Sequence, residues 1–238
     1  MAGRGFLNEA HPIDTNRIYT LRNGRWQAMF RPIHPDRCFS GVCLAESFAE
    51  AYVQKYDVDV GLICCADGGT SLEQWQPGGV LFDNAVFQAK LAQRNSRIAG
   101  ILWHQGEADC APDLYATYQD RFEKMISALR KELNLFEVPL IVGGLGDFLP
   151  HCASDDNLKN YTHVNNALMC CARNSTYVAY ASAEGLTSNP DNLHFNAASL
   201  YEFGHRYFEE FAKMKKDINE EPDNEPVQDV TRTAMELL

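Results

Sequence analysis

Ile98-Ala99-Gly100-Ile101-Leu102-Trp103-His104-Gln105-Gly106-Glu107-Ala108-Asp109 is the stretch that decides the fold. An apolar run without polar alternation stops abruptly at a cluster of polar side chains. A run of this kind reads as a strand buried on both faces, the pattern of a parallel sheet covered by helices. Val58–Cys64, Val138–Val142 and Tyr177–Ala181 repeat the pattern up and down the chain.

Helical periodicity fills the spaces between these runs. Val42, Ala45, Phe48, Ala49 and Tyr52 share one face, and Phe82–Arg94 and Leu158–Cys171 read as helices. Asp113 is placed to cap a helix with Leu114, Tyr118, Phe122, Met125, Leu129 and Leu133 toward the core. Asn196 is placed to cap a last helix presenting Leu200, Phe203, Tyr207, Phe211 and Met214. Strands alternating with helices join by right-handed crossovers. The expected fold is a three-layer α/β/α sandwich with a mainly parallel sheet.

The 238 residues are 45% hydrophobic, enough for one domain with a substantial core, taken to span residues 1–214. Residues 215–238 read as an acidic tail, because Asp217–Asp229 carries six acids, two prolines and no lysine or arginine. Thr231–Leu238 adds a short helical pattern. A net charge of -11 argues against nucleic acid and anionic membranes as partners. No apolar run approaches the ~20 residues of a membrane helix. The eight cysteines include the vicinal pairs Cys64-Cys65 and Cys170-Cys171 but no Cys-x-x-Cys. They read as buried free thiols in a reducing compartment, and with no visible signal peptide the expected location is cytoplasmic.

In such sheets ligands bind beyond the carboxyl ends of the strands. After Val58–Cys64 comes Ala66-Asp67-Gly68-Gly69-Thr70-Ser71. Its glycines suit either an oxyanion hole or an ordinary strand-to-helix turn. After Ile98–Trp103 come His104, Gln105, Glu107 and Asp109, a polar density that core packing does not explain. Gln105 is a candidate amide donor. His104, Glu107 and Asp109 are candidate metal ligands, although their spacing fits no helical zinc motif. After Val138–Val142, Asp147 reads as holding a turn, and the glycines there lack dinucleotide-binding spacing. After Tyr177–Ala181, Asp191 and His194 lie three apart on a loop stiffened by Pro190. A carboxylate there holds an imidazole in one tautomer and stabilises the imidazolium when it takes a proton.

Trp103-His104-Gln105-Gly106-Glu107-Ala108-Asp109 and Asp191-Asn192-Leu193-His194-Phe195 together resemble the SGNH (GDSL-type) hydrolase superfamily. The branch they resemble is that of the sialate O-acetylesterases and acetylxylan esterases. Gly61-Leu62-Ile63 through Gly68-Gly69-Thr70-Ser71 is similar to that branch's second block, and Met1-Ala2-Gly3-Arg4-Gly5 to the end of its first. The resemblance implies a serine-type carbohydrate O-acetylesterase that needs neither cofactor nor metal and takes an acetylated carbohydrate, acetylxylan or O-acetyl sialic acid, as substrate. It implies His194 as base and Asp191 as its orienter. Oxyanion donors would be the Gly69 N–H, in the Gly68-Gly69 turn, and the Gln105 side chain, with Glu107 bracing the site.

One departure stands out. The branch's first block reads Gly-Gln-Ser-Asn-Met-Ala-Gly-Arg-Gly, so the nucleophilic serine would fall two positions before Met1. The sheet's first, interior strand would precede it, leaving a slot with unpaired backbone on both sides. A start codon set too far downstream, or a truncated gene, is the expectation. Ser71, Ser47, Cys64 and Cys65 are the internal candidates weighed as replacements. The alternative function is a non-catalytic remnant that binds glycans in the old pocket; a metal hydrolase on His104, Glu107 and Asp109 is the third.

Overall fold

The computed structural model describes residues 2–218, with side chains as far as Met214. The acidic stretch beyond Ile218 and the pattern at Thr231–Leu238 lie outside the described residues. A hairpin opens the sheet: β1 (Ile18–Arg22) pairs antiparallel with β2 (Arg25–Ala28). Asn23 and Gly24, both at positive φ, make the tight turn between them. Helix α1 (Leu44–Tyr56) leads to β3 (Val60–Leu62), which runs parallel to β1. Then follow α2 (Val80–Ala92), β4 (Ile101–Trp103), α3 (Pro112–Tyr115), α4 (Tyr118–Leu133) and β5 (Leu140–Gly143). The chain continues through α5 (Tyr161–Arg173), β6 (Val178–Ala181) and α6 (Ala197–Ile218). Strands β4, β5 and β6 are parallel, with β5 central.

The three-layer expectation holds. Leu140 and Val142 of β5 join one core with Phe82, Tyr118, Phe122, Met125 and Leu168 from α2, α4 and α5. Ile141, between them in sequence, joins the opposite core with Phe48, Phe203, Tyr207 and Phe211 from α1 and α6. Burial of alternate residues on opposite faces is what the unalternating apolar runs require. The last helix also starts as read: Asn196 Oδ1 accepts the Ser199 N–H at 2.9 Å.

The Asp113–Leu133 segment differs from the reading. It is two helices, broken at Ala116-Thr117, because Pro112 opens a short first helix at its N-terminus and Thr117, at φ -117°, restarts the second. The restart carries the buried Tyr118 hydroxyl to the Gln105 carbonyl at 3.0 Å. All eight cysteines are free, and Cys38 is exposed rather than buried.

The sheet comes in two three-stranded pieces, β2-β1-β3 and β4-β5-β6. Strands β3 and β4 are thus facing edges. A cavity of about 710 Å3 is lined by both of them, by Phe48 and Tyr52 of α1, by Met125 and Leu129 of α4 and by Tyr207 and Phe211 of α6. Ala2 and Arg4 also line it, together with the polar loops at the strands' carboxyl ends.

Candidate active site

The loop after β6 is a closed unit. Ser188 and Phe195 form an antiparallel bridge, and the Asn189 N–H donates to the His194 carbonyl at 2.7 Å. Asn192 turns the chain at φ 51°, a conformation asparagine tolerates. Inside this frame the His194 Nδ1 lies 2.7 Å from Asp191 Oδ2. Asp191 Oδ1 accepts the backbone N–H of Leu193 at 2.9 Å and of His194 at 3.0 Å. Partial burial pushes the Asp191 carboxyl up, but these hydrogen bonds, with the imidazole, outweigh it and hold it below the ordinary carboxylate value. An ionised Asp191 fixes a proton on Nδ1 and leaves Nε2 as the basic nitrogen. The His194 side chain is one-third exposed and lines the cavity.

Gly68, Gly69, Thr70, Gln105 and Glu107 line the same cavity. Gly69 sits at φ +78°, where a side chain is strained although nothing would crowd its Cβ. Its N–H makes no hydrogen bond within the described residues. Gln105 is more constrained than its sequence position suggested. Its Nε2 donates to Asp109 Oδ2 at 2.6 Å and to the Thr70 carbonyl at 3.0 Å. Its Oε1 accepts the Tyr118 hydroxyl at 3.1 Å, which fixes which way the amide faces.

Asp109 is fully buried and works as a structural hub. Oδ2 also accepts the Leu72 N–H at 2.7 Å, while Oδ1 pairs with Arg121 at 3.0 Å. Those partners turn it away from a shared site with His104. The His104 ring instead meets Phe195 and Phe203 edge-on, with centroids 5.7 Å and 5.5 Å apart. Burial lowers its pKa against the opposing pull of Glu107, whose Oε1 stands 3.7 Å from Nε2. Among the described residues no group of three metal-ligating side chains is gathered.

The internal nucleophile candidates are held in other roles or kept as neutral thiols, although Cys64 and Cys65 line the same cavity. The Ser47 hydroxyl donates to the Tyr201 carbonyl at 2.8 Å inside the α1–α6 contact. Ser71 caps the short turn Leu72–Trp75 together with Gln74. Burial raises the Cys64 thiol and pushes Cys65 up to about 12, so neither provides a thiolate near neutral pH. Asp147 holds its loop by accepting the Tyr161 hydroxyl at 3.1 Å. Trp75 and Trp103 pack against each other edge-on in the core, 5.5 Å between centroids.

Sequence reading passed over a second layer of residues. Arg4 and Asp36 form a buried ion pair at 2.6 Å, and Asp36 Oδ2 accepts the Gly68 N–H at 2.9 Å. Arg37 reaches Asp67 at 2.8 Å and the Gly68 carbonyl at 2.9 Å. Asn189 Nδ2 donates to the Arg4 carbonyl at 2.9 Å. Their partners lie some 30 to 190 positions away in the chain, and no local pattern marks them.

A family model described as carbohydrate esterase, sialic acid-specific acetylesterase, matches residues 1–213. A "probable carbohydrate esterase" from Arabidopsis thaliana is 27% identical over 195 residues, covering 76% of this chain and 68% of the relative. The X-ray structure of that Arabidopsis thaliana protein superposes with a TM-score of 0.79 at 24% identity, over 90% of this chain and 93% of the other. The crystal structure of NanS superposes with a TM-score of 0.62 at 18% identity, over 91% and 93% of the two chains. Among the described residues no helix is long and apolar enough to cross a membrane.

Proposed function

The chain belongs to the carbohydrate esterase family of sialic acid-specific acetylesterases, and on that premise we propose that it releases acetate from O-acetylated sugars by serine-type acyl transfer. The observation that carries the reading is the Asp191–His194 pair at 2.7 Å, opening into the same cavity as an uncommitted Gly69 N–H.

In this mechanism a serine hydroxyl attacks the acetyl carbonyl and gives its proton to His194 Nε2. The imidazolium that forms is stabilised by ionised Asp191. The Gly69 N–H receives the developing oxyanion, and Gln105 supplies a second donor when its bond to the Thr70 carbonyl lengthens. Breakdown returns the proton to the departing sugar hydroxyl and leaves an acetyl-serine. Water, activated by His194, then releases acetate.

The serine in this reading stands ahead of Met1, at the carboxyl end of a strand seated between β3 and β4. Two features support that place. Both facing strands run with their carboxyl ends toward the His194 loop, and Ala2 already lines the cavity there. The second reading is glycan binding in the same cavity without hydrolysis.

Acetate release from p-nitrophenyl acetate, O-acetyl sialic acid and acetylated xylo-oligosaccharides separates the readings. The assay compares the 238-residue chain with one carrying a strand and Gly-Gln-Ser-Asn ahead of Met1. Release only by the second protein supports the esterase. Release by neither, with millimolar sugar binding by the first, supports the binding module.

A further inference from the structure

We propose that Asp36 is the positioning residue for the oxyanion turn, and that its ion pair with Arg4 locks that turn to the His194 loop. The inference rests on the acetylesterase reading for its chemistry and on geometry for its substance.

The Gly68-Gly69 turn follows β3, whereas His194 follows β6, so donor and base belong to different pieces of the sheet. Among the described residues the pieces do not pair with each other through strands. A contact between the two loops that does not depend on strand pairing matters, because misplacement of donor against base by about 1 Å costs roughly 10²-fold in rate.

Arg4 and Asp36 span that gap. The Asp36 carboxylate is 6% exposed and the Arg4 guanidinium 7%. Arg4 Nη2 donates to Asp36 Oδ2 at 2.6 Å and Nη1 to Oδ1 at 3.2 Å, a two-pronged pairing that fixes the plane of both groups. The Ser40 hydroxyl adds a third donor to Oδ1 at 2.8 Å. Held this way, Oδ2 takes the Gly68 N–H at 2.9 Å. That bond points the Gly68 N–H into the protein and leaves its neighbour, the Gly69 N–H, as the unclaimed donor in the cavity wall. A Cβ on Gly68 would run into the Arg4 guanidinium, so the turn packs directly on the pair. On the other side, the Arg4 carbonyl accepts Asn189 Nδ2 at 2.9 Å, and Asn189 N–H in turn holds the His194 carbonyl at 2.7 Å. The chain of contacts thus runs Gly68, Asp36, Arg4, Asn189, His194.

Asp36→Asn tests it in the serine-bearing chain. Asparagine keeps the shape, weakens the Gly68 bond and removes the charge facing Arg4. The expected result is a fall in kcat of about 10-fold or more with KM within about twofold, since the lost donor acts only on the transition state. A kcat within twofold of the parent overturns the proposal. Amide hydrogen exchange on the unaltered 238-residue chain gives an arm independent of activity and of the variant's folding. Slow exchange at Gly68 with fast exchange at Gly69 is expected, and the reverse order overturns the proposal. An inactive serine-bearing parent counts against the acetylesterase, while the exchange pattern still decides the clamp.

Discussion

Acid should destabilise this protein in a window set by one buried histidine. His34 is 8% exposed, and its Nδ1 makes no hydrogen bond among the described residues. Burial lowers its pKa from 6.5 to about 3; the Arg4 and Arg22 guanidinium groups push the same way and the Asp36 carboxylate opposes them. The unfolded chain therefore binds a proton near pH 6.5 that the folded chain refuses. Stability rises with pH wherever the unfolded state holds more protons. The contribution is complete above pH 6.5 and is lost progressively as pH falls toward 3. At 1.36 kcal/mol per unit, a gap of about 3.5 units has a ceiling near ~5 kcal/mol, a large share of a typical folding free energy. Asp36, lowered from 3.8 to about 2, adds a loss in the same direction only below about pH 4. Burial raises that carboxyl, but bonds from Arg4, Gly68 and Ser40 bring it down. Urea unfolding followed by tryptophan fluorescence at pH 7.5, 6.5, 5.5 and 4.5 isolates the histidine. Between 6.5 and 4.5 the parent should lose about 2–3 kcal/mol more than His34→Phe. Parallel stability curves for the two proteins over that range would rule out His34 as the source of the acid sensitivity.

Other substitutions probe the remaining parts of the site. Asp109→Ala leaves Arg121 and the Leu72 N–H without their buried partner, and should cost about 3–5 kcal/mol in urea unfolding. Asp191→Asn should preserve the fold by circular dichroism while lowering kcat of the serine-bearing chain by about 10³–10⁴, because the amide no longer selects the Nδ1–H tautomer. Gly68→Ala should lower both Tm and kcat, as the new methyl group displaces the Arg4 guanidinium.

The sequence made the doubly buried layer legible because burial on both faces erases polar alternation. Leu140, Ile141 and Val142 are all fully buried, and the reading of that strand missed its bounds only at the ends. The hairpin of β1 and β2 escaped, although Asn23-Gly24 between Leu21-Arg22 and Arg25-Trp26 is a strong turn signal. Its strands are short, and β2, at the edge of its piece, has a mixed burial pattern in Arg25–Ala28. Gln105 and His194 were legible as candidates because polar side chains crowd the loops after their strands. Arg4, Asp36 and Asn189 were not, because each acquires its role only when segments far apart in the chain meet. Local pattern did not show how Gln105 is held: its amide hydrogens are engaged by Asp109, four residues on, and by Thr70, in a distant segment.

Acid-quenched mass spectrometry of the serine-bearing chain, mixed for milliseconds to seconds with an O-acetylated sugar, reads acyl transfer to that serine itself. An acetyl ester on that serine, formed rapidly in the parent and strongly suppressed in His194→Ala, is the predicted result. Acetate release without an acetyl-enzyme, or acetylation at the same rate in His194→Ala, would rule out acyl transfer driven by His194.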